Sequence, residues 1–197
     1  MATKERGRMI MAEIGVVHGR FQILHLKHME YLLAAKMRCS RLYIGITHPD
    51  DLYLGGLEAD RHGIRKSDNP LTYLERYEMI HDALVDFGVR REEFEIVPFP
   101  ITRPEYIFEY APKDATYFMS VYDSWGEIKC EMLKSMGADV DVLWRKSEEE
   151  KGVTGTDVRT AIALGRDWQQ MVPRTVYDYI LKNGIDQRIK DNAVFTG

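Results

Sequence analysis

Short apolar runs rich in valine, isoleucine and tyrosine recur along this chain. Most are followed by a longer stretch whose apolar residues repeat at helical spacing. The runs fall at residues 13–18 (EIGVVH), 41–47 (RLYIGIT), 94–99, 115–120 (ATYFMS) and 139–144 (DVDVLW). The helical stretches lie between them at 26–39, 71–87, 104–110 and 123–136, and two more, 156–164 and 173–182, follow the last run. Strands joined by helices are parallel, because each crossover returns the chain to the same end of the sheet. The alternation predicts an α/β fold: a doubly wound, Rossmann-like parallel sheet of about five strands with crossover helices and a C-terminal helical extension. Thr72 with Glu75 three residues later is a capping box for the helix at 71–87, and Gly137 can stop the helix at 123–136.

The 197 residues are the size of one domain. The reading places an N-terminal extension at 1–12, a single domain at 13–190 and a frayed tail at 191–197. Hydrophobic residues make up 45% of the chain, enough for a core without disulfides. Cys39, at the end of the first helical stretch, and Cys130 form no CxxC pattern, so both read as reduced structural thiols. Acidic residues outnumber basic ones, 31 to 27, so the chain lacks the basic excess of a protein that tracks a nucleic-acid backbone. A small phosphorylated ligand needs only a local basic site. No apolar run approaches the ~18 residues of a membrane span, and residues 1–11 are polar and basic, unlike a secretory signal. The expectation is a cytoplasmic homo-oligomer that binds small molecules, with no nucleic-acid or membrane partner.

Ligands of such sheets sit outside the carboxyl ends of the strands, which puts residues 19–28, 47–69, 120–123 and 145–159 on one rim. The first of these reads Gly19-Arg20-Phe21-Gln22-Ile23-Leu24-His25-Leu26-Lys27-His28. A strand runs into a glycine and an arginine, then into two histidines three apart at a helix start, where they share a face. Free N–H groups and the positive dipole end suit an anion there, and the imidazoles can donate to phosphoryl oxygens. The other reading of the pair is surface or capping histidines. A second segment, Gly152-Val153-Thr154-Gly155-Thr156-Asp157-Val158-Arg159, sets hydroxyls and a glycine at another helix start with an arginine one turn in. It suits a triphosphate, or is a Thr-capped helix with a surface arginine. Neither segment is a P-loop or a G-x-G-x-x-G.

Taken together, G-R-F-Q-x-x-H-x-x-H after the first strand and T-x-T-x-x-R opening a late helix resemble the HxGH nucleotidyltransferases. The likeness is nearest to archaeal-type nicotinamide mononucleotide adenylyltransferases and runs from about residue 14 to 182. Asn69-Pro70-Leu71-Thr72 and Glu75-Arg76-Tyr77-Glu78-Met79 are similar to that family's N-P-F-T…E-R-x-E-M, and residues 168–173 (WQQMVP) to its W-x-x-L-V-P. The resemblance implies transfer of a nucleoside monophosphate from ATP or CTP to a small phosphate- or phosphonate-bearing acceptor, with release of pyrophosphate. It implies that His25 and His28 contact the triphosphate, His28 near the α-phosphorus, and that Arg20 holds a phosphate. Arg159 with Thr154 and Thr156 would bind the β and γ phosphates, and Gly19, Phe21, Lys27 and Gly155 complete the nucleotide site. Mg²⁺ would be bound mainly through substrate phosphates, with no metal site made by protein alone.

Three places depart from that pattern. Lys27 stands where the motif has glycine, and either reaches a phosphate or obstructs the usual nucleotide pose. The segment after the third strand, ITRPEYIFEY, lacks the tryptophan that stacks nicotinamide, offering Tyr106, Phe108 and Tyr110. Ser120-Val121-Tyr122-Asp123 replaces a Gly-Asn pair. The loop bearing Arg61, His62, Arg65 and Lys66 is basic; it could clamp an anionic acceptor together with Tyr122 and Asp123, or be a solvated loop. Cytidylyltransferases that act on small phosphonates share this architecture without a nicotinamide pocket, so both acceptor classes stay open, as does a non-catalytic nucleotide sensor.

Overall fold

A computed structural model describes residues 11–49, 68–147 and 149–194 of the chain. Five strands, Ala12–Gly19 (β1), Cys39–Thr47 (β2), Phe94–Phe99 (β3), Thr116–Val121 (β4) and Asp139–Arg145 (β5), form one all-parallel sheet in the order β3-β2-β1-β4-β5. The helices are Leu26–Lys36 (α1), Tyr73–Asp86 (α2), Ile107–Tyr110 (α3), Ser124–Ser135 (α4), Gly155–Ala163 (α5), Arg174–Lys182 (α6) and Ile185–Val194 (α7). This is the doubly wound arrangement expected, with α6 and α7 as the helical extension.

Period-2 alternation sends side chains to two separate cores. Val17, Ile44 and Phe118 pack with Leu32 of α1, Met79 of α2, Val158 of α5 and Ile180 of α6 on one face. Val16, Phe99, Tyr117 and Met119 pack with Ile107 of α3 and Cys130 and Leu133 of α4 on the other. Both cysteines are free and buried.

The chain winds outward from β1 through β2 to β3, then returns to lay β4 on the other side of β1. At this switch the sheet opens. β1 pairs with β2 from Ala12↔Cys39 to Gly19↔Ile46, but with β4 only at Gly15↔Thr116 and Val16↔Tyr117. Beyond those pairs the carboxyl ends of β1 and β4 part, and the Tyr31 hydroxyl donates to the Phe118 carbonyl at 2.6 Å. A crevice at the switch point follows from this divergence.

The Thr72–Glu75 capping box is present as predicted: the Glu75 N–H donates to Thr72 Oγ1 at 3.2 Å and the Thr72 N–H to Glu75 Oε2 at 2.8 Å. Two boundaries differ from expectation. The first helix ends at Lys36, and Cys39 opens β2. Residues 191–194, expected in a frayed tail, belong to α7. That helix is held by Ile185 and Ile189, four apart and buried in the first core. Burying two isoleucines is worth about 1.5–3 kcal/mol each, which outweighs a sequence that is otherwise polar.

Candidate active site

The chain leaves β1 at Gly19 and turns through Phe21, whose φ of +52° swings its ring back beneath the turn. A Cβ at Gly19 would lie 2.9 Å from that ring, so the turn closes only over glycine. The chain then enters α1 with His25 as N-cap. The two histidines cap each other: the His28 N–H donates to His25 Nδ1 at 3.3 Å, and the His25 N–H to His28 Nδ1 at 3.4 Å. Their rings stack with centroids 3.6 Å apart. Because each Nδ1 accepts, each imidazole carries its proton on Nε2. Burial lowers the pKa of His25 to about 4 despite Asp157, with Lys151 and Arg159 adding to the fall. Burial also holds His28 well below its ordinary value, helped by His25, Arg20 and Lys151, against a smaller opposing contribution from the Ile23 backbone. The pair is therefore neutral at pH 7, with one Nε2–H donor on each ring. The phosphate-donor and capping readings of these histidines are compatible, since different ring nitrogens serve each.

The α5 N-terminus packs directly against this turn. A Cβ at Gly155 would meet the Gln22 carbonyl oxygen at 2.7 Å, so close approach requires glycine there. Arg159 is buried one turn along; its Nη1 donates to the same Gln22 oxygen, and its Nη2 to Thr156 Oγ1 at 3.1 Å and to Asp68 at 3.5 Å. Gln22 is fixed from below by its own side chain, which exchanges hydrogen bonds of 3.0 and 2.9 Å with the Leu71 backbone. Arg76, 2% exposed, donates to the carbonyls of Arg20 (3.0 Å), Thr47 (2.7 Å), His48 (2.7 Å) and Thr72 (3.2 Å). Burial lowers its pKa only to about 10, so it remains a cation beneath the floor of the crevice.

These segments line one cleft of about 480 Å³ at the switch point. Its wall carries Arg20, Lys27, Lys129, Lys151 and Arg159, against Asp123 as the carboxylate among the described lining residues. In a chain of net charge −4 this is a local concentration of positive charge.

The cytidylyltransferase-like family model matches residues 16–161, which span both motifs. The chain belongs to the cytidylyltransferase-like family. It is a nucleotidyltransferase. It is 44% identical over 180 residues to a phosphonoformate cytidylyltransferase of Streptomyces viridochromogenes, covering 91% of this chain and 97% of that protein. It is 29% identical over 182 residues to a nicotinamide-nucleotide adenylyltransferase of Saccharolobus solfataricus, covering 90% and 95%. Among solved structures, a bifunctional NMN adenylyltransferase/ADP ribose pyrophosphatase of Francisella tularensis matches with a TM-score of 0.64 at 14% identity, over 94% of this chain. The chain spans 54% of that longer protein, and the likeness there is one of fold.

The sequence-predicted residues of the nucleotidyltransferase gather in the cleft: Gly19, Arg20, Phe21, His25, Lys27, His28, Tyr122, Asp123, Thr154, Gly155, Thr156 and Arg159 all line it. Several are already engaged. The Thr154 hydroxyl accepts from the Asp157 N–H and donates to Asp157 Oδ2 at 2.7 Å, so it serves as the cap of α5. Asp123 caps α4 by accepting from the Gly126 N–H at 2.7 Å, and the Tyr122 hydroxyl accepts from Trp144 Nε1 at 2.8 Å. Lys27 pairs with Glu30 at 2.6 Å, and its stem lies along Gly152. Arg61, His62, Arg65 and Lys66 lie outside the described residues.

Other lining residues escaped the sequence reading. Lys151 lies in the 145–159 stretch expected on the rim but was not singled out there, and its ammonium lies 5.5 Å from the Tyr122 ring centroid. Trp125 and Lys129 come from α4, His18 from the end of β1, and Ile101 from just beyond β3. The segment after β3 supplies no stacking aromatic to the lining: Tyr106 and Tyr110 are exposed, and Phe108 packs edge-on to Tyr117.

Proposed function

We propose that the chain transfers CMP from CTP to a small phosphonate, phosphonoformate or a close analogue, and releases pyrophosphate. The observation that carries this reading is the 44% identity to a phosphonoformate cytidylyltransferase over nearly the whole of both chains. The cleft supports it chemically. A phosphonate oxygen attacks the α-phosphorus of CTP in line; the new P–O bond forms as the bond to the bridging oxygen breaks, and that oxygen leaves with pyrophosphate. The Nε2–H groups of His25 and His28 donate to oxygens whose charge grows during the displacement, and they need no proton transfer to do so. Arg20 and Lys151 add positive charge, and the N–H groups opening α5 face the leaving group. Arg159 shapes this end of the cleft through Gln22 and Thr156.

Among the described residues no cluster of three His, Cys, Asp or Glu could hold a metal ion. In this reading the substrate is MgCTP, the ion held by phosphate oxygens and offsetting their charge. No described helix is long and apolar enough to cross a membrane; a cytoplasmic location and a homo-oligomeric state are part of the same proposal.

The more distant adenylyltransferase relatives, together with Trp125 in the cleft, favour a second reading, adenylyl transfer to nicotinamide mononucleotide. Against it, the Lys129 ammonium lies over the Trp125 ring, 5.7 Å from its centroid, where a cationic nicotinamide would have to stack. Competition settles the choice: the enzyme with Mg²⁺, CTP, ATP, phosphonoformate and nicotinamide mononucleotide at equal concentrations, products followed by phosphorus NMR. A CMP–phosphonoformate adduct is expected. Selective formation of NAD would refute the reading.

A further inference from the structure

The cleft has two halves, and the chemistry above uses one. Gly19, His25, His28 and the start of α5 lie with the first core, on the face of α1 and α5. The other half belongs to the face of α3 and α4, and the chemistry above uses none of its polar groups.

His18 is the centre of that half. Strand alternation turns it to the same side as Val16, into the second core, where its ring stacks on Phe99 at 4.6 Å and 2°. It is 8% exposed, lines the cleft, and its Nδ1 has no hydrogen-bond partner. Native proteins rarely leave a buried polar side-chain atom unsatisfied unless the site has a use for it. An apolar residue would pack on Phe99 as well, so packing does not explain an imidazole here. Lys129 enters the same half from α4, and its charge is felt at the ring, since burial first and Lys129 second hold His18 well below its ordinary pKa. Ile101 and Phe99 form an apolar wall, with Trp125 also lining the cleft from α4. The result is a space with an ammonium, a neutral imidazole edge and apolar surroundings.

We infer that this half is the acceptor's second anion site, in which Lys129 and His18 receive a carboxylate borne next to the reacting phosphonate. This rests on the phosphonate reading above and names what would select among phosphonates. With the phosphonate at the α-phosphorus beside His28, a carboxylate one bond away turns toward the β1–β4 gap. Low polarity strengthens an ammonium–carboxylate hydrogen bond there. A phosphonate with only a methyl group gains nothing from Lys129.

The test compares phosphonoformate with methylphosphonate in steady-state pyrophosphate release with CTP, for the wild type, Lys129→Met and His18→Phe. Lys129 is a half-buried side chain on a helix surface, so its variant folds. His18→Phe keeps a ring on Phe99, and its melting temperature is measured alongside. The wild type should prefer phosphonoformate. In Lys129→Met the phosphonoformate KM should rise roughly tenfold to a hundredfold, with the methylphosphonate KM moving far less and the CTP KM staying within about twofold. His18→Phe should shift the same KM in the same direction. A raised CTP KM, an equal rise for both phosphonates, or an undiminished preference in both variants would overturn this site while leaving the phosphonate reading intact. A wild type that transfers CMP to neither phosphonate would overturn that reading and this site with it.

Discussion

Gly155→Ala separates local helix chemistry from the geometry of the site. Gly155 is the first residue of α5. By helix propensity alone, alanine there should stabilise the helix by up to about 1 kcal/mol, and less at the first position than in the interior. The structure argues the opposite. The added Cβ would stand 2.7 Å from the Gln22 oxygen and 3.2 Å from both Gln22 C and Ile23 N, all backbone atoms. The loop cannot retreat, since Gln22 is held by Leu71 through its side chain and by Arg159 through its carbonyl. Relief therefore falls on α5, which must move by several tenths of an ångström. Overpacking of this kind costs about 1–3 kcal/mol, so the variant should be less stable by a net 1 kcal/mol or so, read by urea denaturation at constant m. The same shift moves the α5 N–H groups away from the His25–His28 pair. A displacement near half an ångström between the two halves of a phosphoryl-transfer site should lower kcat about tenfold. A Gly155→Ala protein as stable as the wild type with unchanged kcat would refute the close packing of the two motifs.

Three further outcomes follow from the same geometry. His28→Ala should cut kcat by roughly a hundredfold, about 3 kcal/mol of transition-state stabilisation, and should lower the melting temperature because it removes half of the reciprocal cap; near-normal pyrophosphate release would contradict the role given to Nε2. Arg159→Lys should raise the CTP KM and weaken folding while leaving the acceptor KM within about twofold, because one ammonium cannot replace a fork that holds Gln22 and Thr156 together; an effect confined to the acceptor would contradict its placement. Acid stability tests the buried neutral histidines: below the ordinary value of 6.5 the unfolded chain takes up protons that folded His25 refuses until about pH 4, so stability present at pH 7 is lost as pH falls through that window. For His25 alone the loss reaches about 3 kcal/mol at pH 4, and denaturant titrations of His25→Gln should show a flatter acid limb than the wild type.

What could be read from the sequence was what is local. Each strand lies within two residues of its apolar run, because alternation and flanking turn residues are encoded next to one another. The end of α1 has no mark in the sequence because Met37-Arg38 carries neither glycine nor proline, and α7 shows little helical periodicity because Ile185 and Ile189 are the residues it buries in the core. That the two motifs meet in one cleft was legible for the same reason, since each is one strand or loop running into one helix. Even there, function and structure were confounded: T-x-T-D places Asp157 at the third helical position, which is a capping box, and the Thr154 hydroxyl assigned to phosphate is spent on it.

The acceptor half has no such local signature. His18 matters because strand register turns it toward Phe99, and Lys129 because α4 packs with one particular face toward the cleft. Ile101 matters because β3, separated from β4 by β2 and β1, ends on the same rim. Each alone is an ordinary histidine, lysine or isoleucine, and their chemistry exists only after three crossovers bring them to one crevice. This division has a physical basis: a triphosphate is held largely by backbone N–H groups at helix starts, which demand a fixed local sequence, whereas a small acceptor is held by side chains that any strand end or helix face can supply. Relatives sharing the first half can therefore differ in the second, and the side chains at His18 and Lys129 are where this enzyme's choice of acceptor would be written.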